Sequence, residues 1–145
     1  MSDLGTIKVK LLREGARLPE RATAGSSGFD VYACLQGDIE VGQAPVIIPT
    51  GIAMEVPHDV DAQLRPRSGL AKQGVLATFG TLDSDYRGEL LITLYAIGPG
   101  IRHTVRHGAR IAQLVLVRLF AAELVVALEL SETGRGAGGH GSTGR

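Results

Sequence analysis

The chain reads as one all-β domain, and three observations predict it. Short stretches rich in β-branched residues recur at fairly even spacing along its 145 residues. Twenty glycines and six prolines punctuate the intervals between them. The one segment with helical character, Ser68 to Lys72, is closely followed by Gly74 and allows no more than about one or two turns. A β-sandwich or barrel follows.

The elements can be justified in order. Ile7, Val9 and Leu11 alternate with Lys8 and Lys10, as a half-buried strand with a polar outer face requires. A turn region runs from Pro19 through Gly25-Ser26-Ser27-Gly28, and Phe29 to Ala33 is the next strand. Val46 to Ile48 is closed by Pro49; Ile52, Met54 and Val56 alternate again and stop at Pro57. Asp61 to Arg65 is a short polar strand that ends before Pro66, which has no amide to give a ladder. Gly74 to Phe79 and Glu89 to Tyr95 are extended, with Gly80 to Arg87 a polar connection between them. Ile101 to Val105, Arg110 to Phe120 and Glu123 to Leu130 complete the set. The run from Ile111 to Phe120 has few polar residues, which predicts that both its faces are largely covered.

Composition narrows the function. A chain of this length buries roughly two thirds of its unfolded surface, and its apolar fraction of 44% is that of a globular protein. Fifteen basic residues balance fifteen acidic ones, so no global cationic field draws a nucleic-acid polymer or a membrane. A small phosphate ligand stays open, because a local ring of donors can hold one. Cys34 is the only cysteine, which rules out an intrachain disulfide and suits a reducing compartment. Met1 to Thr6 lacks an export signature, and the longest apolar run, Ile111 to Ala122, is broken by Gln113 and Arg118. These features predict a soluble, cytoplasmic protein.

The last fifteen residues change character. Ser131 to Arg145 holds six glycines and no large aliphatic side chain, so it cannot join a core and loses much entropy if ordered. The division is a domain at 1–130 and an arm at 131–145. A disordered terminus and a mobile arm that orders over a ligand both have this composition; in the second case Arg135, Ser142 and Thr143 are the phosphate donors.

Four polar loops carry the chemistry. In Ala24-Gly25-Ser26-Ser27-Gly28-Phe29-Asp30, glycines permit close backbone approach and Asp30 could hold a metal-bound water, although an ordinary tight turn looks the same. In Pro66-Arg67-Ser68-Gly69-Leu70, a helix starting at Ser68 would turn its hydroxyl and free amides toward an anion, and Arg67 adds a planar fork suited to phosphate. Gly80 to Gly88 packs Asp83, Asp85, Tyr86 and Arg87 between two apolar strands, as either a solvated hairpin or an active-site loop. In the second case one Asp is a general base and Tyr86 offers a ring face to a sugar or base. The Asp83, Asp85 pair alone identifies no metal site. In Gly108 to Gln113, Arg110 and Gln113 have opposite parity in an ideal strand and need not share a site. Gln113 within an apolar run needs partners for its amide. No P-loop or paired-cysteine zinc pattern is present, and His58, His103 and His107 form no ligand set.

Taken in this order, the loops resemble the five motifs of the trimeric deoxyuridine triphosphatase (dUTPase) family. Ala24–Ala33, Pro66–Ala71, Gly80–Leu90, Gly108–Val115 and Arg135–Gly144 resemble the first to fifth, and Leu82-Asp83-Ser84-Asp85-Tyr86-Arg87-Gly88 is the most specific. The resemblance implies a β-clip, or distorted jelly roll, with a flexible Gly-rich C-terminal arm. It also implies a homotrimer with active sites at subunit boundaries, and Mg2+-dependent cleavage of dUTP to dUMP and pyrophosphate. By the same resemblance Asp83 would orient and activate the attacking water. Tyr86 would pack under the deoxyribose and reject UTP, while backbone groups of Phe79, Gly80, Thr81 and Leu82 would read uracil. Arg67, Ser68 and Gly69 would hold phosphates from a neighbouring subunit, with Gln113 near the α-phosphate and Asp30 in the outer shell of magnesium. Asp85 and Arg110 would be structural. Arg135, Gly141, Ser142 and Thr143 would close over the triphosphate.

Two departures from the family pattern stand out. His140 occupies the place of the aromatic, usually Phe, that covers the uracil ring. Leu76 to Phe79 also lacks the Asn that bacterial members often place near the base, which either shifts recognition toward backbone groups or loosens it. A dCTP deaminase-like enzyme and a non-catalytic nucleotide-binding jelly roll are the competing readings. Against the first, the Asp83–Gly88 segment has the triphosphatase form and no counterpart of the deaminase's catalytic Glu region is found. Against the second stand Asp83, Gln113 and Arg135 together.

Overall fold

A computed structural model describes residues 5–142 and 144. Eleven strands and one short helix are present among the described residues. In chain order they are β1 (Lys8–Leu11), β2 (Gly28–Tyr32), β3 (Ile39–Val41), β4 (Val46–Pro49), β5 (Ile52–Glu55) and β6 (Val60–Arg65). The helix α1 (Ser68–Lys72) follows, then β7 (Val75–Ala77), β8 (Gly80–Leu82), β9 (Leu91–Ala96), β10 (His103–Val105) and β11 (Arg110–Arg118). Every pairing among these strands is antiparallel. A four-stranded sheet runs β2-β11-β6-β8, a three-stranded sheet runs β4-β9-β7, and β1-β5 and β3-β10 form two-stranded pairs.

The core is what alternation along these strands requires. Val31, Ile48, Ile52, Ile92, Leu94, Ile111 and Leu114 are essentially fully buried, and Leu64 and Leu82 pack into the same cluster. On β6 the opposite parity carries Asp61, Gln63 and Arg65, joined as a ladder on the outer face. Gln63 Nε2 donates to Asp61 Oδ2 at 2.5 Å and Arg65 Nη2 to Gln63 Oε1 at 2.8 Å. Thr50 is the one buried polar residue among the described residues, and its hydroxyl donates to the Leu90 carbonyl at 2.5 Å. No helix among the described residues is long and apolar enough to cross a membrane.

The structure corrects the sequence reading in five places. Glu123 to Leu130 forms no strand: Leu124, Val126, Leu128 and Leu130 are each at least 88% exposed. Their alternation is that of a strand, but no described strand of the same chain pairs with it. The end of β11 is likewise uncovered, with Val117 44% and Phe120 88% exposed. Within Gly80–Arg87 the first three residues are a true strand, β8, because Leu82 has an apolar slot beside Ala62 and Leu64. Ser68 starts α1 as expected but is its first helical residue; extended Arg67 is the N-cap, without a side-chain capping bond. The short strand β3, absent from the sequence reading, pairs with β10.

Candidate active site

The four-stranded sheet brings three of the five loops, the first, second and fourth, together at one end. Asp30 on β2 lies opposite Gln113 on β11, and Gln113 lies opposite Arg65, one residue before the Pro66-Arg67 loop. Partners directly across a ladder share a face, so these side chains form one polar row. Arg67 Nε donates to Asp30 Oδ1 at 3.0 Å, and Arg110 Nη1 lies 3.6 Å from Asp30 Oδ2. Arg67 Nη1 also donates to the Arg110 carbonyl at 3.4 Å, and Gln113 Nε2 to the Pro66 carbonyl at 3.0 Å. The Asp30 side chain is only 14% exposed. A carboxylate so placed holds two guanidinium groups while leaving them further donors for an anion.

Parity in an ideal strand separates Arg110 from Gln113; the structure reunites them. The register slips between Arg110 and Ala112, so Arg110 faces Tyr32, Ala112 faces Val31 and Gln113 faces Asp30. A bulge of this kind inserts one residue and re-aims its neighbours, so that Arg110 reaches Asp30 while Gln113, opposite Asp30, reaches the Pro66 carbonyl. Gly28 is the second local requirement. The Gln113 Oε1 atom occupies the space that a Cβ on Gly28 would need, so the glycine gives the amide its route to Pro66.

The third loop is a separate construction. From β8 the chain turns through Asp83, with the Tyr86 amide donating to the Asp83 carbonyl at 3.1 Å. Arg87 Nη1 donates to the carbonyls of Ser84 at 2.6 Å and Tyr86 at 3.0 Å, and the Tyr86 hydroxyl to the Glu89 carbonyl at 3.0 Å. Gly88 lies against the Tyr86 ring, with no room for a Cβ. Asp83 and Tyr86 line a cleft of roughly 250 Å3 together with Leu64, Thr81, Leu82 and Glu89. The Leu82 side chain belongs to the core, so only its backbone faces the cleft's chemistry. Phe79 is 78% exposed at the foot of β8, and Asp85 is exposed in the turn.

Asp83 and the Asp30 row sit at opposite ends of the sheet. Gly80 pairs with Leu64 and Leu82 with Ala62, so Asp83 leaves β8 at the level of Asp61. Arg65 is four positions further along β6, a separation of ~13 Å at the usual rise per residue. Ser68 and Gly69 are exposed beyond it. The C-terminal segment makes no described hydrogen bond to either end: those of residues 133–142 and 144 all stay within it. Arg135 Nε, for instance, donates to the Gly138 carbonyl at 2.8 Å. His140 has a φ of 51°, a left-handed conformation more open to His than to most residues. Gly141 and Ser142 are exposed; Thr143 lies outside the described residues.

One network escaped the sequence reading. Glu89 Oε1 accepts from Arg13 Nη2 at 2.5 Å and from the Gly51 amide at 2.8 Å. The Arg13 hydrogen bond, helped by the Gly51 amide and against the effect of burial, holds the Glu89 carboxyl below the usual carboxylate range. A folded pKa below the unfolded one means that this stabilisation is present above the unfolded value and lost as pH falls through the folded one. Glu89 is separated from Arg13 by most of the domain in sequence, so no local spacing announces the pair.

Comparison with known proteins decides the family. The dUTPase family model matches residues 14–144. The chain belongs to the dUTPase family. It is 47% identical over 137 residues to the deoxyuridine 5'-triphosphate nucleotidohydrolase of Treponema denticola, covering 92% of this chain and 94% of that one. It is 48% identical over 136 residues to that of Desulfotalea psychrophila, covering 90% and 89%. Among solved structures it resembles the Staphylococcus bacteriophage 80alpha dUTPase with dUPNHPP, with a TM-score of 0.82 and 28% identity over 98% of this chain and all of that one. A mutant dUTPase from phage phi11 of S. aureus, described with a structural Mg(II) ion, shares the fold at TM-score 0.79 and 23% identity. That likeness covers 88% of this chain and all of the phage chain. The architecture is thus the dUTPase-type, jelly-roll-like β fold.

Proposed function

We propose that this dUTPase-family enzyme uses Asp83 to direct a water molecule in line at the α-phosphorus of dUTP. The reaction is hydrolysis of dUTP to dUMP and pyrophosphate. The observation that carries the assignment of roles is Asp83, exposed at the mouth of a cleft whose wall is Tyr86. The carboxylate aligns the water and accepts its proton late in the transfer. Tyr86 packs under the deoxyribose, and backbone groups from Phe79 to Leu82 read the uracil edge. Arg67, Ser68, Gly69 and Gln113 bind the phosphate chain and stabilise the charge that develops as pyrophosphate leaves. Asp85 and Arg110 hold loops in place, as the Arg110–Asp30 contact supports for Arg110.

Magnesium fits this donor set in a limited way. No group of three or more His, Cys, Asp or Glu gathers among the described residues, which suits an ion carried mainly by substrate phosphates and water. Asp30 would hold its outer shell through water. Bound, the ion would supply charge neutralisation at the phosphates.

The site is completed by other copies of the chain, in a homotrimer. Two features support this reading: the ~13 Å between the Asp83 and Asp30 ends of one sheet, and the unpaired apolar alternation from Leu124 to Leu130. An arm of residues 131–145 then closes over a bound triphosphate, bringing Arg135, Gly141, Ser142 and Thr143 to the phosphates and His140 to the base. Closure excludes water and strengthens each charged contact. A cytoplasmic setting accords with the lone free cysteine, Cys34.

Product analysis with dUTP, UTP, dTTP and dCTP tests the assignment. Selective pyrophosphate release from dUTP is expected, with kcat reduced about a thousandfold in Asp83→Asn while analogue binding survives. Ammonia from dCTP would indicate a deaminase, and dUTP binding without pyrophosphate a binding module. Full turnover by Asp83→Asn would remove Asp83 from its role.

A further inference from the structure

Tyr86 is the residue through which the proposed site rejects a 2′-hydroxyl, yet the residue is 43% exposed and lies on a turn. Something must hold it to better than the size of an oxygen atom, since an ill-placed ring excludes nothing. Its hydroxyl donates to the Glu89 carbonyl at 3.0 Å, and Gly88 closes the space beneath the ring. The position of Tyr86 is therefore that of the Glu89 backbone.

Glu89 and its neighbour Leu90 are tied to two other segments of the domain. Its carboxylate accepts from the Gly51 amide and from Arg13, just beyond β1. The next residue is fixed at both backbone atoms: Leu90 N donates to the Ile52 carbonyl at 2.8 Å, and the Thr50 hydroxyl to the Leu90 carbonyl at 2.5 Å. Gly51, the centre of this seat, has a φ of 71° and is packed against Ala16 and Cys34, so it cannot easily shift. The Arg13 end is anchored in turn, because the Leu12 amide donates to the Gly51 carbonyl at 2.7 Å. The Glu89 side chain is half-buried, at 24% exposed, while Arg13 reaches it from the surface, at 40% exposed.

We infer that Glu89, clamped by Arg13 and the Gly51 amide, is a positioning residue for Tyr86 and thereby sets discrimination between deoxyribose and ribose triphosphates. The inference rests on the reading that Tyr86 packs under the sugar. Glu89 does not touch substrate in this scheme; it fixes the carbonyl that fixes the ring. Loss of the clamp loosens the ring and admits UTP, whereas dUTP loses mainly binding.

Kinetics with dUTP and UTP, on full-length protein with magnesium, test it. Glu89→Ala is expected to lower the ratio of kcat/KM for dUTP over UTP about tenfold, chiefly through a higher KM for dUTP and faster UTP cleavage. Arg13→Met should show the same direction at about threefold, and Glu89→Gln, which still accepts from Gly51, should recover most of the ratio. Arg13→Met and Glu89→Gln keep the test usable if Glu89→Ala does not fold. An undiminished ratio in Arg13→Met and in any folded Glu89→Ala protein, even with a lower Tm, would overturn the inference and leave Glu89 purely structural. Tyr86→Ala separates the two levels. If that variant keeps full discrimination, the sugar reading of Tyr86 falls, and this inference with it; if it loses discrimination while Glu89→Ala and Arg13→Met do not, only the clamp fails.

Discussion

The loop from Asp83 to Gly88 and the segment after Phe120 are both exposed and polar at their tips, but they are held very differently. The loop is hydrogen-bonded within itself and seated through Glu89 and Leu90 on residues 50–52. The C-terminal segment satisfies only its own turns and leaves Leu124, Val126, Leu128 and Leu130 in solvent. Folding of one chain therefore preorganises the Asp83–Gly88 loop, as it does the Asp30–Arg67–Gln113 row. On the proposed reading the arm is ordered only on binding, and that ordering costs conformational entropy at that moment. On the same reading selectivity belongs to the first region and closure to the second.

Removing the second region sharpens the contrast most. A chain ending at Leu130 should lose about a hundredfold or more in kcat/KM for dUTP, since Arg135 and its neighbours no longer reach the phosphates. Its unfolding free energy should stay within about 0.5 kcal/mol of the full chain, because the described hydrogen bonds of residues 133–142 and 144 stay within the segment. Rates and thermal melts of the two chains decide this. A truncated chain with undiminished kcat/KM would reduce the arm to a passive terminus.

Sequence reading recovered what depends on local pattern. Alternation located β1, β5 and β6, and Pro66 set the end of β6. It missed β3 and β8, each three residues long, because strands that short carry too few alternations to be told from turns; β7 and β10, equally short, were legible only within longer extended runs. It also misjudged Glu123–Leu130, where the periodicity is genuine but no described strand of the same chain takes it up. In the site, Asp30, Arg67 and Gln113 were legible singly, from polar residues in apolar or Gly-rich settings. Their convergence was not, since it depends on the bulge between Arg110 and Ala112. The Arg13–Glu89 bond was invisible for the same reason: it is a product of register between distant strands.

A smaller effect should come from within the rigid region. Gly28→Ala places a methyl group where Gln113 Oε1 lies, so the amide must swing away and release the Pro66 carbonyl. The expected loss is about 1–2 kcal/mol of stability with a severalfold rise in KM for dUTP. Chemical denaturation and steady-state rates on one preparation would measure both. Unchanged KM with lowered stability would place Gln113 outside the phosphate contacts.

The least effect is expected at His140, where two terms oppose. Phe in its place would cover the uracil ring with more apolar area, worth up to about 1 kcal/mol in a stacked contact. The residue, however, has a φ of 51°, and a bulky ring in that conformation costs a comparable amount unless closure changes the backbone. The net change in KM at pH 8 should therefore be no more than about twofold. His140→Ala removes the ring altogether and should raise KM about threefold. An unchanged KM in His140→Ala would mean that the imidazole does not rest on the base when the arm is closed, and the cap must then be sought elsewhere in residues 135–144.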